Sequence, residues 1–461
     1  MQKKVPRIVL CLLLVTVMLV LAVGCGKTTT SNPTSATTSA TTSSLTTTTS
    51  ITNTSVTTTA ATTTVATTTA ATTYKFDRTF TLNVVTPLSG AASDSGFLHL
   101  RGAQMATDDM NAQGGLVVDG VRYKVVVASY DHASNVVTAS QIIHQLVEGN
   151  NAKIVSVQGT GANMAIEDYL AQNNILNLGQ ISSLPATISP KWPLQFTMYP
   201  LSGVYTIKDF IPYYIDVMGA KSAMWITADS DMGRMFVNTE MQVIKANNYS
   251  LTFFPNQFYT SGTQDFSPVV DKVLLQKPDI ILNDGALNGD IYLLYKQLRE
   301  KGWNGIFALL TGQLSADDIW SVAAQYSVGA MTIGYSGLTE TPNDRWVQFE
   351  NRYQAKYNQT MNQQTPGVYD GTMQLFRAIN MANSFDPYKI AYVMQDLTWN
   401  GLYGPASFGG DEPGSPFGIK RVPLIPLPLI QFTGKGTSKV LAMPSDGSNG
   451  KFYRVTDTIK Q

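Results

Sequence analysis

Two cysteines, three histidines and a charged fraction of only 14% leave this 461-residue chain little material for disulfide, metal or acid–base chemistry. Cys11 lies inside an apolar N-terminal run and Cys25 at its end, so the rest of the chain holds no cysteine pair and no cysteine-based zinc cluster. His99 and His144 fall in helical stretches without ligand spacing. His132 follows Asp131 at a strand end, where a surface or cleft-rim position is expected. No G-x-S-x-G, H-E-x-x-H or P-loop is present, and Ser182 and Ser183 have no identifiable base beside them, which leaves a hydrolase as a distant alternative. Gly159-x-Gly161 is not a dinucleotide fingerprint, because Met164 stands at the third glycine position and no acid lies near position 180. Basic and acidic residues balance at 32 each without a basic patch, so nothing would neutralise a row of phosphates. These absences argue against nucleic-acid binding, a metal or a cofactor.

The N-terminus does carry a signal. Lys3, Lys4 and Arg7 precede an uncharged run from Ile8 to Val23, the layout of a secretory signal peptide over residues 1–24. Its end, Leu21-Ala22-Val23-Gly24-Cys25, resembles a bacterial lipobox, with Ala22 where leucine is usual, and the resemblance implies lipid attachment at Cys25. Residues 25–74 form a threonine-rich stretch, uncharged from 28 onward, that cannot bury a core. As a coil it spans on the order of 40 Å, and fully extended roughly 150 Å, which suits a tether between a membrane and a folded body.

From Lys75 onward strand and helix patterns alternate, the signature of parallel α/β units, and the length suits two lobes. Phe80, Leu82 and Val84 alternate along a first strand that breaks at Thr86-Pro87-Leu88-Ser89-Gly90. A helix then places Leu98, Gly102, Ala106 and Met110 on one face and stops at Gly114-Gly115. Strands follow at 123–128, 154–157 and 175–178. The pattern restarts after Pro200, with strands at 223–227 and 278–282, and residues 331–335 return the chain to the first lobe.

The opening segment, ending in P-L-S-G and continuing R-G-A-Q-M-A-T-D-D-M-N-A-Q-G-G, resembles the periplasmic leucine/isoleucine/valine-binding proteins of bacterial ABC importers. So do Thr263-Gln264-Asp265-Phe266-Ser267 with its following strand, Tyr369-Asp370-Gly371, and Leu402-Tyr403-Gly404-Pro405 with Phe408-Gly409-Gly410. The resemblance covers about residues 80–432. It implies an α/β, two-lobed type I periplasmic-binding-protein fold, a Venus flytrap of two parallel-sheet lobes joined by three crossovers. The lobes are expected over 75–198 plus 336–415 and over 199–335 plus 416–461, with connections near 198–200, 332–335 and 414–421. The implied function is capture of a small polar organic ligand, an amino acid or related carboxylate or amide, by a monomer outside the cytoplasm. The ligand would then pass to ABC permease subunits, the alternative being a receptor domain that signals to a membrane partner.

Ligands of open parallel sheets lie beyond the carboxyl ends of the strands. There Thr160 and Gly161 open a helix whose N-terminus favours an anion, and the resemblance places Thr160, Ser182 and Ser183 on a ligand carboxylate and amino group. Ser95 stands where the family often has an aromatic wall, with Phe97 beside it; Phe97 has the alternative of packing on its own helix. In the second lobe Met232 and Thr311 replace the family's aromatic and acidic residues. Asp284, at the end of the strand over 280–283, is the candidate substitute acid for a ligand ammonium, with a loop or helix-cap aspartate as the alternative.

Overall fold

The computed structural model describes residues 73–443 except 91, 181–183, 199–202, 287, 311–313, 336–342, 360, 362–363, 412 and 414. Alternating apolar strands and amphipathic helices build a first sheet from β1 (Arg78–Thr86), β2 (Leu116–Val118), β3 (Val121–Asp131), β4 (Ile154–Val157), β5 (Leu176–Gly179) and β6 (Gln195–Thr197). Its helices are α1 (Ser93–Ala112), α2 (Val136–His144) and α3 (Thr160–Gln172). The strand order is β2-β3-β1-β4-β5-β6, all parallel except β2. Alternation along β1 sends Leu82 and Val84 to one face and Val85 to the other. The first two join Ala103, Ala106 and Met110 of α1, while Val85 joins Val155, Ile143 and Ile166 under α2 and α3.

Crossing from this sheet, the chain forms α4 (Gly203–Pro212), β7 (Ser222–Ala228), α5 (Asp231–Ala246), β8 (Thr252–Phe253), β9 (Gln257–Tyr259), α6 (Ser267–Gln276), β10 (Ile280–Asn283), α7 (Asn288–Glu300), β11 (Ile306–Leu309), α8 (Ala316–Ala323) and β12 (Met331–Ile333). It then returns as α9 (Asp344–Tyr357), α10 (Gln364–Ala382) and α11 (Pro387–Met394), followed by a three-stranded sheet of β13 (Thr398–Gly401), β14 (Gly404–Gly409) and β15 (Val422–Leu424). A last passage delivers β16 (Leu429–Gly434) and β17 (Thr437–Ala442) to the second large sheet, which runs β17-β16-β12-β11-β10-β7-β8 with β9 also on β7. Because β15 pairs with β14, this passage falls between Leu424 and Leu429, later than the 414–421 expected.

Three local devices fix the first lobe. Gly114 (φ 105°) and Gly115 (φ 75°) end α1, the Gly115 N–H donating to the Met110 carbonyl (2.8 Å). Asn135 caps α2, its side chain accepting from the N–H groups of Val137 and Thr138. Gly102 lets α10 approach, since a Cβ there would lie 2.7 Å from the Thr365 carbonyl oxygen. The β2–β3 hairpin goes beyond the strands read from sequence, although Asp119 (φ 51°) and Gly120 (φ 75°) form the two-residue turn that an Asp-Gly pair favours.

The second and third passages are tied together. Tyr335, just past β12, lies with Trp346 of α9 and Tyr403 of the β13–β14 turn at ring separations of 5.2 to 5.9 Å. Its hydroxyl donates to the Pro426 carbonyl (2.9 Å), and the Gly334 N–H donates to that of Pro428 (2.9 Å).

Candidate functional site

The carboxyl ends of β1, β4 and β5 converge on a cluster of neutral polar side chains. Gln158, the first residue past β4, accepts from Thr86 Oγ1 and donates through Nε2 to Ser95 Oγ (2.7 Å), and Ser95 donates to Gln364 Oε1 at the start of α10 (3.0 Å). Gln180, the first residue past β5, accepts from His99 Nδ1 (2.6 Å), whose Nε2 in turn accepts from Ser156 Oγ (3.0 Å). Main-chain bonds weld the two strand ends, Gly159 N–H donating to the Gln180 carbonyl (3.0 Å) and Gln180 N–H to that of Val157 (2.9 Å).

The histidines here are neutral. Burial pushes His99 down to about 4, outweighing its bond to Gln180, with a small further push from His132. His132 is 3% exposed and not at a rim. Its Nε2–H donates to the Gln158 carbonyl (3.1 Å) and its Nδ1 accepts from the Ser134 N–H (3.1 Å), an arrangement that holds one tautomer. Burial lowers its pKa as well, against the pull of the Gln158 bond. The sequence placed this ring outside because Asp131 precedes it, but the turn at Ala133 and Ser134, both at positive φ, folds it inward. Ser156 and His99 form a serine–histidine contact, and both are fully buried, so no substrate reaches them.

Of the residues selected from sequence, Thr160 is the first of α3, buried, and Gly161 follows it half-buried. Gly159, at φ 99°, makes the turn that presents them. Ser95 is half-buried in the first turn of α1 and is brought to the same turn by Gln158. Phe97 is 38% exposed, with the Arg101 guanidinium 5.5 Å from its ring centre, so it contacts its own helix. Ser182, Ser183, Thr311 and Cys25 lie outside the described residues.

In the second lobe Met232 is half-buried in the first turn of α5, which Ser230 caps through the Gly233 N–H (3.0 Å). The loop after β10 packs on that turn, since a Cβ on Gly285 would sit 3.1 Å from Gly233 Cα. Asp284 is fully buried in that loop, its Oδ1 accepting from the Gly285 N–H (2.6 Å), and its carboxyl neighbours that of the equally buried Glu240 on α5. Glu240 is raised well above the ordinary range, first by burial, then by the Asp284 charge and a hydrogen bond between the two acids. Asp284 is therefore engaged with a neighbouring acid in the lobe interior and is not solvent-exposed.

Gln158, Gln180, His99 and Gln364 escaped the sequence reading. Gln158 and Gln180 share one signal, an amide directly after a short apolar strand, where a parallel sheet meets its ligand. Chemically the first-lobe face offers hydroxyls, amides and a helix N-terminus, groups that hold an anionic or neutral polar head without proton transfer. Among the described residues no cluster of three or more metal-ligating side chains occurs.

The sequence profile of a family described as periplasmic binding protein matches residues 79–415. The chain is 21% identical over 272 residues to the Leu/Ile/Val-binding protein BraC3 of Rhizobium johnstonii, covering 58% of this chain and 70% of that one. To the Leu/Ile/Val/Thr-binding protein of Salmonella typhimurium it is 20% identical over 345 residues, covering 73% and 89%. Among solved structures, the branched-chain amino acid transporter substrate binding protein LivJ from Streptococcus pneumoniae, in complex with isoleucine, superposes with a TM-score of 0.63 at 19% identity, covering 79% of this chain and 98% of that one. A solute binding protein of an ABC transporter from R. palustris, in complex with benzoate, does so at 0.65 and 14% identity, covering 81% and 98%.

Proposed function

Because the chain belongs to the periplasmic binding protein family, we propose that it is the solute-binding component of an ABC importer, closing its two lobes over a small organic ligand with a carboxylate or amide head. The observation that carries this reading is the turn at Gly159–Thr160, set at the carboxyl ends of a parallel sheet and backed by the neutral cluster of Ser95, Gln158, His99 and Gln180. The names of the similar proteins support the head group. Isoleucine and benzoate have different bodies, and what they share is a carboxylate. Met232 and the interior position of Asp284 leave the second lobe without an exposed acid at those positions for an ammonium, so an aromatic or aliphatic acid suits the site at least as well as a free amino acid.

Lobe one is taken as 75–198 with the return segment from 336 through β15, and lobe two as 199–335 with β16 and β17. Cys25 is the proposed lipid attachment point and 25–74 the tether that keeps the body beside its permease. Mass spectrometry of the mature N-terminus should find a diacylglyceryl-modified Cys25; an unmodified chain, or one starting elsewhere, contradicts the anchor. The ligand reading is tested by a thermal-shift screen against amino acids, aromatic acids, amides and short carboxylates. A ligand of the native state at a hundredfold excess over its Kd adds about 2.7 kcal/mol of stability. A screen in which amines or sugars shift the transition and no carboxylate or amide does would sink the head-group assignment.

A further inference from the structure

Beneath the Gly159–Thr160 turn lies a row of buried side chains that ligand contact alone does not explain. Glu167 on the inner face of α3 is 2% exposed, and Asn163, Asn177 of β5 and Gln195 of β6 are equally enclosed. Asn163 Nδ2 donates to the Val157 carbonyl (3.1 Å) and to the Gly159 carbonyl (2.8 Å), gripping the end of β4 and the residue that precedes α3. Asn163 Oδ1 accepts from Asn177 Nδ2 (2.7 Å), and Asn177 Nδ2 also donates to Glu167 Oε1. The Asn177 amide is thus shared, donating to the carboxyl on one side and to Asn163 on the other, and Asn163 in turn donates to the turn. Gly159 sits at φ 99°, a conformation its neighbours must hold, and Asn163 is the side chain that holds it.

Among the described residues no cation faces this carboxyl. On its own helix Asp168 is exposed and bonded to Lys191 and Trp192. From β5 and β6 it meets the amides of Asn177 and Gln195, and α2, packed on α3, carries only His144, which is bonded to Glu148 and lies against Tyr169 at the surface. An unpaired buried carboxylate costs several kcal/mol. Asn177 Oδ1 and both side-chain polar atoms of Gln195 are buried without a hydrogen-bond partner among the described residues, and Gln195, which contacts the Glu167 carboxyl, offers Oε1 as an acceptor for a carboxylic acid O–H. The Glu167 carboxyl is pushed up to about 8, chiefly by burial, with the Asn177 and Gln195 contacts pulling it down and the Asp168 charge adding to the rise.

We propose that Glu167, retained as a neutral acid, is a positioning residue for the ligand: through Asn177 and Asn163 it fixes the Gly159–Thr160 turn. The inference rests on the reading of that turn as a ligand contact. Ionising the acid would strand a charge among amides and draw the shared Asn177 amide to the carboxylate and away from Asn163, loosening the side-chain grip on the Gly159 carbonyl and leaving it the Asn163 main-chain N–H alone (3.0 Å).

The test compares the full chain with Glu167→Gln, which keeps the shape and a donor and cannot ionise. The first readout needs no ligand: hydrogen exchange of the peptide spanning 159–163, followed from pH 6 to pH 9.5 and normalised to a distant peptide. The wild type should lose protection above about pH 8, whereas Glu167→Gln should show no such step. Binding of benzoate and L-isoleucine is measured over the same range; for a probe that binds, Kd should rise above that pH in the wild type, up to about tenfold per pH unit, and stay level in Glu167→Gln. A wild type without the exchange step, or a Glu167→Gln protein that retains it, overturns the proposal. If the step is present but Thr160→Val leaves a bound probe's Kd unchanged, the acid positions the turn as stated and it is the ligand-contact reading that fails.

Discussion

At the scale of single residues, Thr160 carries the proposed ligand contact of the first lobe. It is buried at the head of α3, next to a glycine whose positive φ aims the turn. Thr160→Val keeps shape and removes the hydroxyl, so a carboxylate ligand loses one hydrogen bond, and its affinity should fall by about 1 to 3 kcal/mol in a calorimetric titration. Unchanged affinity would remove Thr160 from the site. Its position at the head of a helix was legible in the sequence because short-range features mark it: an apolar strand, two glycines and a following helix. The residues around it were not, because their partners are remote along the chain. His99 meets Gln180 across 81 positions and Ser95 meets Gln364 across 269. His132 went astray for a related reason, since two residues at positive φ turned inward a ring that its neighbour Asp131 had marked as exposed.

At the scale of elements, α10 and the β13–β14 turn meet through one carboxyl. Asp370 is buried and accepts from the Leu402 N–H (2.9 Å), and Gly401 is required beside it because a Cβ there would collide with the carboxylate. Burial pushes Asp370 up to about 7, against the Leu402 bond and the distant Arg345 charge. The folded state therefore holds a proton that the unfolded chain releases near pH 4, and this contribution to stability is full below about pH 4 and lost as pH rises to about 7. Asp370→Asn keeps the acceptor for Leu402 and cannot ionise, so its melting temperature should lack that decline and exceed the wild type's at pH 8. A variant with the same slope between pH 4 and 7 would assign the decline to other groups. Strand positions at this scale were largely legible, since the expected 154–157 matches β4 and 223–227 falls within β7. The three-stranded sheet was not recognised as one, because its strands of three to six residues carry glycine and proline and are held by tertiary contact instead of their own periodicity.

For the whole molecule, the two large sheets and the three passages between them follow from the restart of the α/β pattern after Pro200 and the return after β12. The third passage was misplaced because β15 extends the small sheet beyond the glycine-rich stretch that suggested a boundary. Tyr335, Trp346 and Tyr403 bind the second and third passages into one packed unit, which leaves few-residue dihedral changes near the passages as the route by which a ligand would draw the lobes together. Small-angle X-ray scattering of the protein, with and without a saturating carboxylate identified in the thermal screen, tests that capture most directly. A smaller radius of gyration in the bound state, reversed when the ligand is removed, is the predicted result. A radius that stays the same at full saturation would contradict a trap that closes on what it binds.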